Sequence, residues 1–279
     1  FGTSLSYFQS KIYKSTIILS PVSNSSKINS FGSQYSSLAG LTGIDFVSGA
    51  GEDKSAIAIE QIQSFDFFNK FQEKNDLFFL LLAVDSWNYK TNEFGYNSRV
   101  YNSNSKEWID NSKYSIDGKP SLQTAFREYL KRISISVDSS NGFISISFEH
   151  VSPFVSKSIL NSLIKEIDLI TKKNDLRRAN ESINFLKTEI LNTDLKEIKD
   201  ALNGLIQDQI ETIMLANATS EYLFKVVSPP IASEIREKPK RFRYLISSLL
   251  MGFFLILIFF FVKSIILESK RKIEINQVL

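Results

Sequence analysis

Residues 244–262, YLISSLLMGFFLILIFFFV, form a run of 19 residues without a charge. Wound into a helix at 1.5 Å per residue, such a run reaches roughly 28 Å, close to the thickness of a bilayer's hydrocarbon core. A buried helix of a soluble protein rarely runs so far without a charge, so the sequence predicts a C-terminal transmembrane helix. Arg241, Arg243 and Tyr244 stand on one side, and Lys263, Lys270, Arg271 and Lys272 on the other. Five cations from Arg236 onward precede the run and four follow it, so charge asymmetry leaves the orientation open. Ser248 and Gly252 are four apart, a spacing that permits close helix–helix approach and also occurs in ordinary apolar helices.

The other 260 residues have enough apolar content for a core, since 43% of the chain is hydrophobic and 13% aromatic. There is no cysteine, which removes disulfides, thiolate metal sites and a Cys nucleophile. His150 is the one histidine, leaving no multi-histidine metal centre. No cofactor is expected. A net charge of +3 over 279 residues, with no nucleic-acid-binding motif, argues against DNA or RNA as a partner. The first methionine is Met214, and the expectation is a fragment or processed product.

Residues 11–19, KIYKSTIIL, read as a strand stopped by Pro21. Ser and Gly make up 14 of the 32 residues from 20 to 51, so a loop is expected there, with a short helical turn within residues 34–45. Ile57, Ile62, Phe65, Phe68 and Phe71 suggest one or two helices between 53 and 75, and the apolar run continues over 77–84. Residues 85–120 mix Trp87, Tyr89, Tyr96, Tyr101 and Trp108 with Asn, Ser and Lys. Such a mixture can line a carbohydrate site, although it more commonly covers a loop. After a short helix over 121–131, Ile133, Ile135 and Val137 alternate, Asn141-Gly142 supplies a turn, and Ile144, Ile146 and Phe148 alternate back. That is a hairpin with one buried face.

Two long helices follow. Ser152-Pro153 offers an N-cap and a proline at the first helical position. No Gly or Pro interrupts residues 154–191, and Leu160, Leu163, Ile164, Ile167, Ile170, Leu176, Ala179, Ile183, Leu186 and Ile190 recur at helical spacing. Past Asn192-Thr193, a second helix carries Leu195, Ile198, Leu202, Leu205, Ile206, Ile210, Ile213 and Met214, with Gly204 as a tolerated weak point. Helices of this length outgrow the small sheet, and other copies of the chain are the economical partners for the excess apolar face. Residues 222–227 read as a late strand returning to the sheet, ended by Pro229-Pro230. Prolines fix φ and remove donors, so the segment to residue 243 is expected to be an extended, stiff tether.

The string EYLFKVVSPPIASEIREKPKR, residues 221–241, standing directly before a terminal apolar run, resembles the signature of Wzz-type chain-length determinants, the polysaccharide co-polymerases of bacterial inner membranes. YKSTIILSP (13–21) resembles the family's first strand, SSLAGLTGID (36–45) its small-residue segment, and ISISFEHVSPFVSKSILNSLI (144–164) its strand leading into the long helix. Ser152 stands where the family usually has Asp, and residues 85–120 match nothing in the pattern. The resemblance implies an α+β fold: a periplasmic α/β base domain with a long extended α-helical hairpin, then the C-terminal transmembrane helix, an N-terminal transmembrane helix being absent from this chain. The corresponding division is 1–10, the end of that first membrane helix; 11–152, the base; 153–220, the hairpin; 221–243, return strand and tether; 244–262, the membrane helix; and 263–279, a cytoplasmic tail.

The function so implied is non-catalytic: an inner-membrane scaffold that sets the chain length of lipopolysaccharide O-antigen or a related surface polysaccharide. The implied partners are further copies in a homo-oligomer ring, an inner-membrane polysaccharide polymerase and the growing glycan chain. Leu176, Ile183, Leu186, Ile206 and Ile210 are the expected oligomer and chain-length surface. Pro229, Pro230, Pro239 and Gly252 are the expected tether and membrane contacts. The alternative within the same class is a co-polymerase for capsule or exopolysaccharide export working with a separate tyrosine kinase. Residues 263–279 hold no phosphate-binding loop and no tyrosine cluster, which favours the O-antigen type. An enzyme would have to draw on Glu149-His150 or on carboxylates that lie mainly on polar helix faces. An efflux adaptor would carry strands on both sides of the hairpin, and only one strand follows here.

Overall fold

The computed structural model describes residues 10–22, 54–109, 115–116, 118–239 and five positions within the apolar run, 246, 252, 254, 256 and 260. The helical turn expected within 34–45 lies outside them, and so does most of the expected transmembrane segment. Among the described residues no helix is long and apolar enough to cross a membrane. The chain divides into two compact units, Tyr13–Glu234 and a smaller one formed by Phe1–Ile12 with Ile235–Leu279.

Strand β1 (Ile12–Pro21) lies in the larger unit from Tyr13 onward, followed by helices α1 (Lys54–Ile62), α2 (Phe65–Asn75) and α3 (Leu77–Leu82). Three two-stranded ribbons come next: β2 (Val84–Trp87) with β3 (Phe94–Tyr96), β4 (Tyr101–Asn102) with β5 (Glu107–Trp108), and β6 (Ser115–Ile116) with β7 (Lys119–Pro120). Then follow α4 (Leu122–Arg132), β8 (Ile133–Val137), β9 (Ile144–His150), α5 (Pro153–Asn192), α6 (Lys196–Ala218) and β10 (Phe224–Ser228). The smaller unit holds the short strand β11 (Arg236–Lys238).

The main sheet of the larger unit runs β10–β1–β9–β8 and is antiparallel throughout. Alternation sets its buried face: Ser15, Ile17 and Leu19 on β1 and Ile144, Ile146, Phe148 and His150 on β9. The expected hairpin is present, with Ile133 opposite Phe148, Ile135 opposite Ile146 and Val137 opposite Ile144. Its connection is wider than a two-residue turn. Asp138 N–H donates to Phe143 O, and the Asp138 carboxylate accepts from Ser140 and from the Asn141 amide, while Gly142 takes φ +71°. The late strand arrives as expected, β10 pairing with β1 so that Leu19 faces Val226 and Pro21 faces Phe224.

Helices cover the buried face. Ser64 caps α2 through its hydroxyl, which accepts from Phe67 N–H, and Ser121 caps α4 in the same way through Thr124 N–H. The region expected to hold one or two helices holds two, but the apolar face differs from the expected one. Ala58, Ile62, Phe67, Phe68 and Phe71 are buried, whereas Ile57 and Phe65 are exposed. Phe68, Tyr129 and Phe148 meet ring to ring, and the Tyr129 hydroxyl donates to Ile62 O at 3.0 Å. Burial drives that phenol far above its ordinary pKa, so it stays a neutral donor.

Helix α5 runs 40 residues, roughly 60 Å. Ser152 is its N-cap, but its side chain makes no capping bond. Instead Ser152 O accepts from Ser156, and Ser152 N–H donates to His150 Nδ1 at 3.1 Å. At 100° per residue, Ile159, Leu160, Leu163, Ile164 and Ile167 are centred roughly 150° away from Leu176, Ala179, Ile183, Leu186 and Ile190. What reads as one apolar run along the sequence is two stripes on nearly opposite faces. The first stripe is part of the base core. The second belongs to the stretch where α6 runs back along α5, and there Ala179, Leu186, Ala201 and Ala216 are buried.

Candidate assembly surface

Position along α5 is fixed by polar contacts around its middle. Asp168 Oδ1 accepts from the backbone N–H groups of Tyr222 (3.0 Å) and Leu223 (2.7 Å), where the chain leaves the hairpin for β10. Asp175 Oδ2 accepts from the Tyr222 hydroxyl at 2.6 Å and pairs with Lys54 of α1 at 2.6 Å. Burial, then the Asp175 hydrogen bond and charge, drive the Tyr222 phenol well above its ordinary pKa. Lys74 of α2 pairs with Glu166. These contacts join α5 to both the base helices and the return strand. None was read from the sequence, because carboxylates between two apolar stripes look like a solvated helix face.

Beyond Asp175, α5 packs with α6 among the described elements. A two-helix pair has one shared seam and cannot enclose every apolar side chain. Leu191 is 85% exposed and Leu195 60%, at the hairpin tip. Along α6, Met214 is 65% exposed, with Ile210 and Leu215 also open to solvent, and Leu169 of α5 is exposed as well. Burying a side chain of this kind contributes about 1.5–3 kcal/mol, so the surface can drive association.

The expected surface residues therefore separate into three settings. Ile210 is exposed; Leu176, Ile183 and Ile206 are half-buried; and Leu186 is 1% exposed within one copy of the chain. Leu186 belongs to the seam rather than to an outer face, a correction that follows from the second α5 stripe pointing at α6. Among the tether residues, Pro229 is exposed and Pro230 buried within the larger unit, while Pro239 is buried and Gly252 half-buried in the smaller one. Leu169, Phe185, Leu191, Leu195, Ile198, Met214 and Leu215 are exposed residues of the hairpin that the expected surface did not include. For Leu191 and Leu195 the signal was present in the spacing, since a short loop between long helices puts them at the tip.

The other candidate chemistries fare differently. The aromatic residues of 85–109 do not form one platform. Tyr96, Tyr101 and Trp108 pack with Phe78 and Phe79 of α3. Trp87 and Tyr89 form a separate group with Tyr13 and Phe154. His150 is fully buried; because Nδ1 accepts from Ser152 N–H, Nε2 carries the proton and donates to Leu80 O at 3.1 Å. Burial, helped by the nearby Arg132 charge, lowers its pKa to about 4. With both ring nitrogens engaged in the core, His150 has no free position for acid–base work beside Glu149. Among the described residues no three acidic or histidine side chains converge on a metal position.

No family model matches the sequence. No curated protein matches it either. Among solved structures the chain is similar to a fragment of WzzB, a polysaccharide co-polymerase from Salmonella Typhimurium, at 12% identity over 82% of this chain and 100% of that one, with a TM-score of 0.35. It is also similar to a full-length bacterial polysaccharide co-polymerase, at 12% identity over 90% of this chain and 86% of that one, with a TM-score of 0.31. Both are polysaccharide co-polymerases. These scores describe partial overlaps, and neither activity nor partners transfer through them.

Proposed function

We propose that the chain is a Wzz-type polysaccharide co-polymerase, a non-catalytic scaffold of a bacterial inner membrane that regulates the chain length of O-antigen or a related surface glycan. The observation that carries this reading is the hairpin of α5 and α6, rooted in the α/β base and exposing Leu169, Leu191, Leu195, Ile210 and Met214. Copies packed side by side through Ile210, Met214 and their neighbours form the homo-oligomer ring. The half-buried Leu176, Ile183 and Ile206 line its seams, and Leu186 keeps each hairpin closed. Residues 244–262 anchor the chain in the membrane, with residues 13–234 periplasmic and 263–279 cytoplasmic. Pro229, Pro230, Pro239 and Gly252 hold the tether and membrane helix toward an inner-membrane polymerase acting on the growing glycan.

The test is a surface-polysaccharide length ladder from a deletion strain complemented with the wild-type chain or with Ile210→Asp/Met214→Asp. The wild type restores a modal length and the double variant shifts or loses it. Identical ladders from both, at equal protein levels, contradict the reading.

A further inference from the structure

The group around Trp87 stands apart from the rest of the aromatic residues. The Trp87 ring makes edge-on contacts with Tyr13, Tyr89 and Phe154, with centroids 5.9, 5.8 and 5.7 Å away, and its Nε1–H donates to Asn92 Oδ1. Three elements far apart in sequence supply these rings: the start of β1, the β2–β3 ribbon and the first turn of α5. The packing leaves the group open, since Tyr89 is 79% exposed and Phe154 55%. It therefore adds little to the core. Rings with an apolar body and a polar edge, held open at a surface, suit an environment that is apolar on one side and wet on the other.

Chain connectivity indicates which surface that is. Tyr13 is the first residue of the larger unit, and Glu234 is its last. The two ends of the unit's chain come together beside the rings: the Ser15 hydroxyl donates to Ile231 O, and the Ser156 hydroxyl donates to Tyr13 O. Ile231 is itself 70% exposed. Nine residues, 235–243, then separate Glu234 from the charge-free run, a connection of roughly 34 Å at full extension. The exposed rings thus lie where the unit's chain departs for that run.

We propose that Tyr13, Trp87, Tyr89 and Phe154 form an interfacial foot that rests in the headgroup layer of the membrane and fixes the tilt of the base on it. The proposal rests on the membrane reading of residues 244–262. It assigns a role to the β2–β3 ribbon, the stretch for which the family resemblance offers no counterpart.

The chain has two tryptophans, so each can be read alone in the full-length protein. Trp108→Phe leaves Trp87 as the reporter, and Trp87→Phe leaves Trp108, which packs against Phe78, Phe79 and Tyr101 in the other aromatic group. Both variants are reconstituted into vesicles of phosphatidylcholine with or without bromine near the headgroup end of the acyl chains. Retention of vesicle-bound protein through alkaline extraction reports insertion, and circular dichroism reports folding. Expected is roughly twofold quenching of Trp87 by the brominated lipid, little quenching of Trp108, and weaker Trp87 quenching when Tyr89→Ser is added. An inserted, folded chain whose Trp87 is quenched no more than Trp108 overturns the foot. Trp87 quenched no more than Trp108, with Tyr89→Ser also reducing the mass of the assembly in detergent, overturns it in favour of a second copy as the occupant. A folded chain that washes off the vesicles overturns the membrane reading and the foot together.

Discussion

The two halves of α5 are one uninterrupted helix in two different situations. Up to about Ile167 it is a core element, with Leu160 and Leu163 fully buried between sheet and helices. From Leu176 onward its neighbour among the described elements is α6, and its buried residues are reduced to Ala179 and Leu186. The helix is roughly 60 Å long, and the described base elements flank its first part while α6 runs beside the rest. A monomer is thus finished at one end of the helix and unfinished at the other. That contrast is the physical reason to look for assembly in the hairpin rather than in the base.

Substitutions can break or sharpen the contrast. Leu163→Ala opens a cavity in a closed core and is expected to cost about 3–5 kcal/mol in urea denaturation, whereas Leu186→Ala, in a thin seam that can collapse, costs about 2. Equal costs would remove the distinction. His150 comes next. Its folded pKa of about 4 lies below the unfolded value near 6.5, so the unfolded chain binds the extra proton, and stability falls as pH drops through that window. The loss reaches on the order of 3 kcal/mol by about pH 4 and is blunted in His150→Gln, as read from unfolding midpoints at both ends of the window. Asp168→Ala strands the N–H groups of Tyr222 and Leu223 and is expected to cost about 2 kcal/mol, with faster hydrogen exchange at those two amides. Smallest is the effect of Ile210→Ser or Met214→Ser on one copy, within about 0.5 kcal/mol, while the oligomer distribution shifts to smaller species in light scattering.

Much of the base was legible because its signals are local. The period-two alternation of 133–137 and 144–148 specifies strands and their register, and the short helix read over 121–131 is present as α4. The long helices were legible for the same reason, as nothing in 154–191 can break them. The division of their apolar face was not. Spacings of three and four resume on both sides of the six-residue step from Ile170 to Leu176, and the change of face at that step gains its meaning only when the neighbours on each side are known. Leu186 was accordingly assigned to an outer surface although it lies in the seam. The Asp168 and Asp175 locks were hidden because their partners, Tyr222, Leu223 and Lys54, lie 47 to 121 residues away. Ser152 was read as a side-chain cap, but its backbone N–H is engaged by His150, a contact that no spacing rule anticipates.

The mass of the full-length chain in mild detergent, by light scattering corrected for bound detergent, tests the central claim most directly. A discrete multi-copy assembly is expected, reduced to single copies by Ile210→Asp/Met214→Asp with helix content unchanged. A wild-type chain that runs as one copy, as stable and as helical as the variant, would contradict the account.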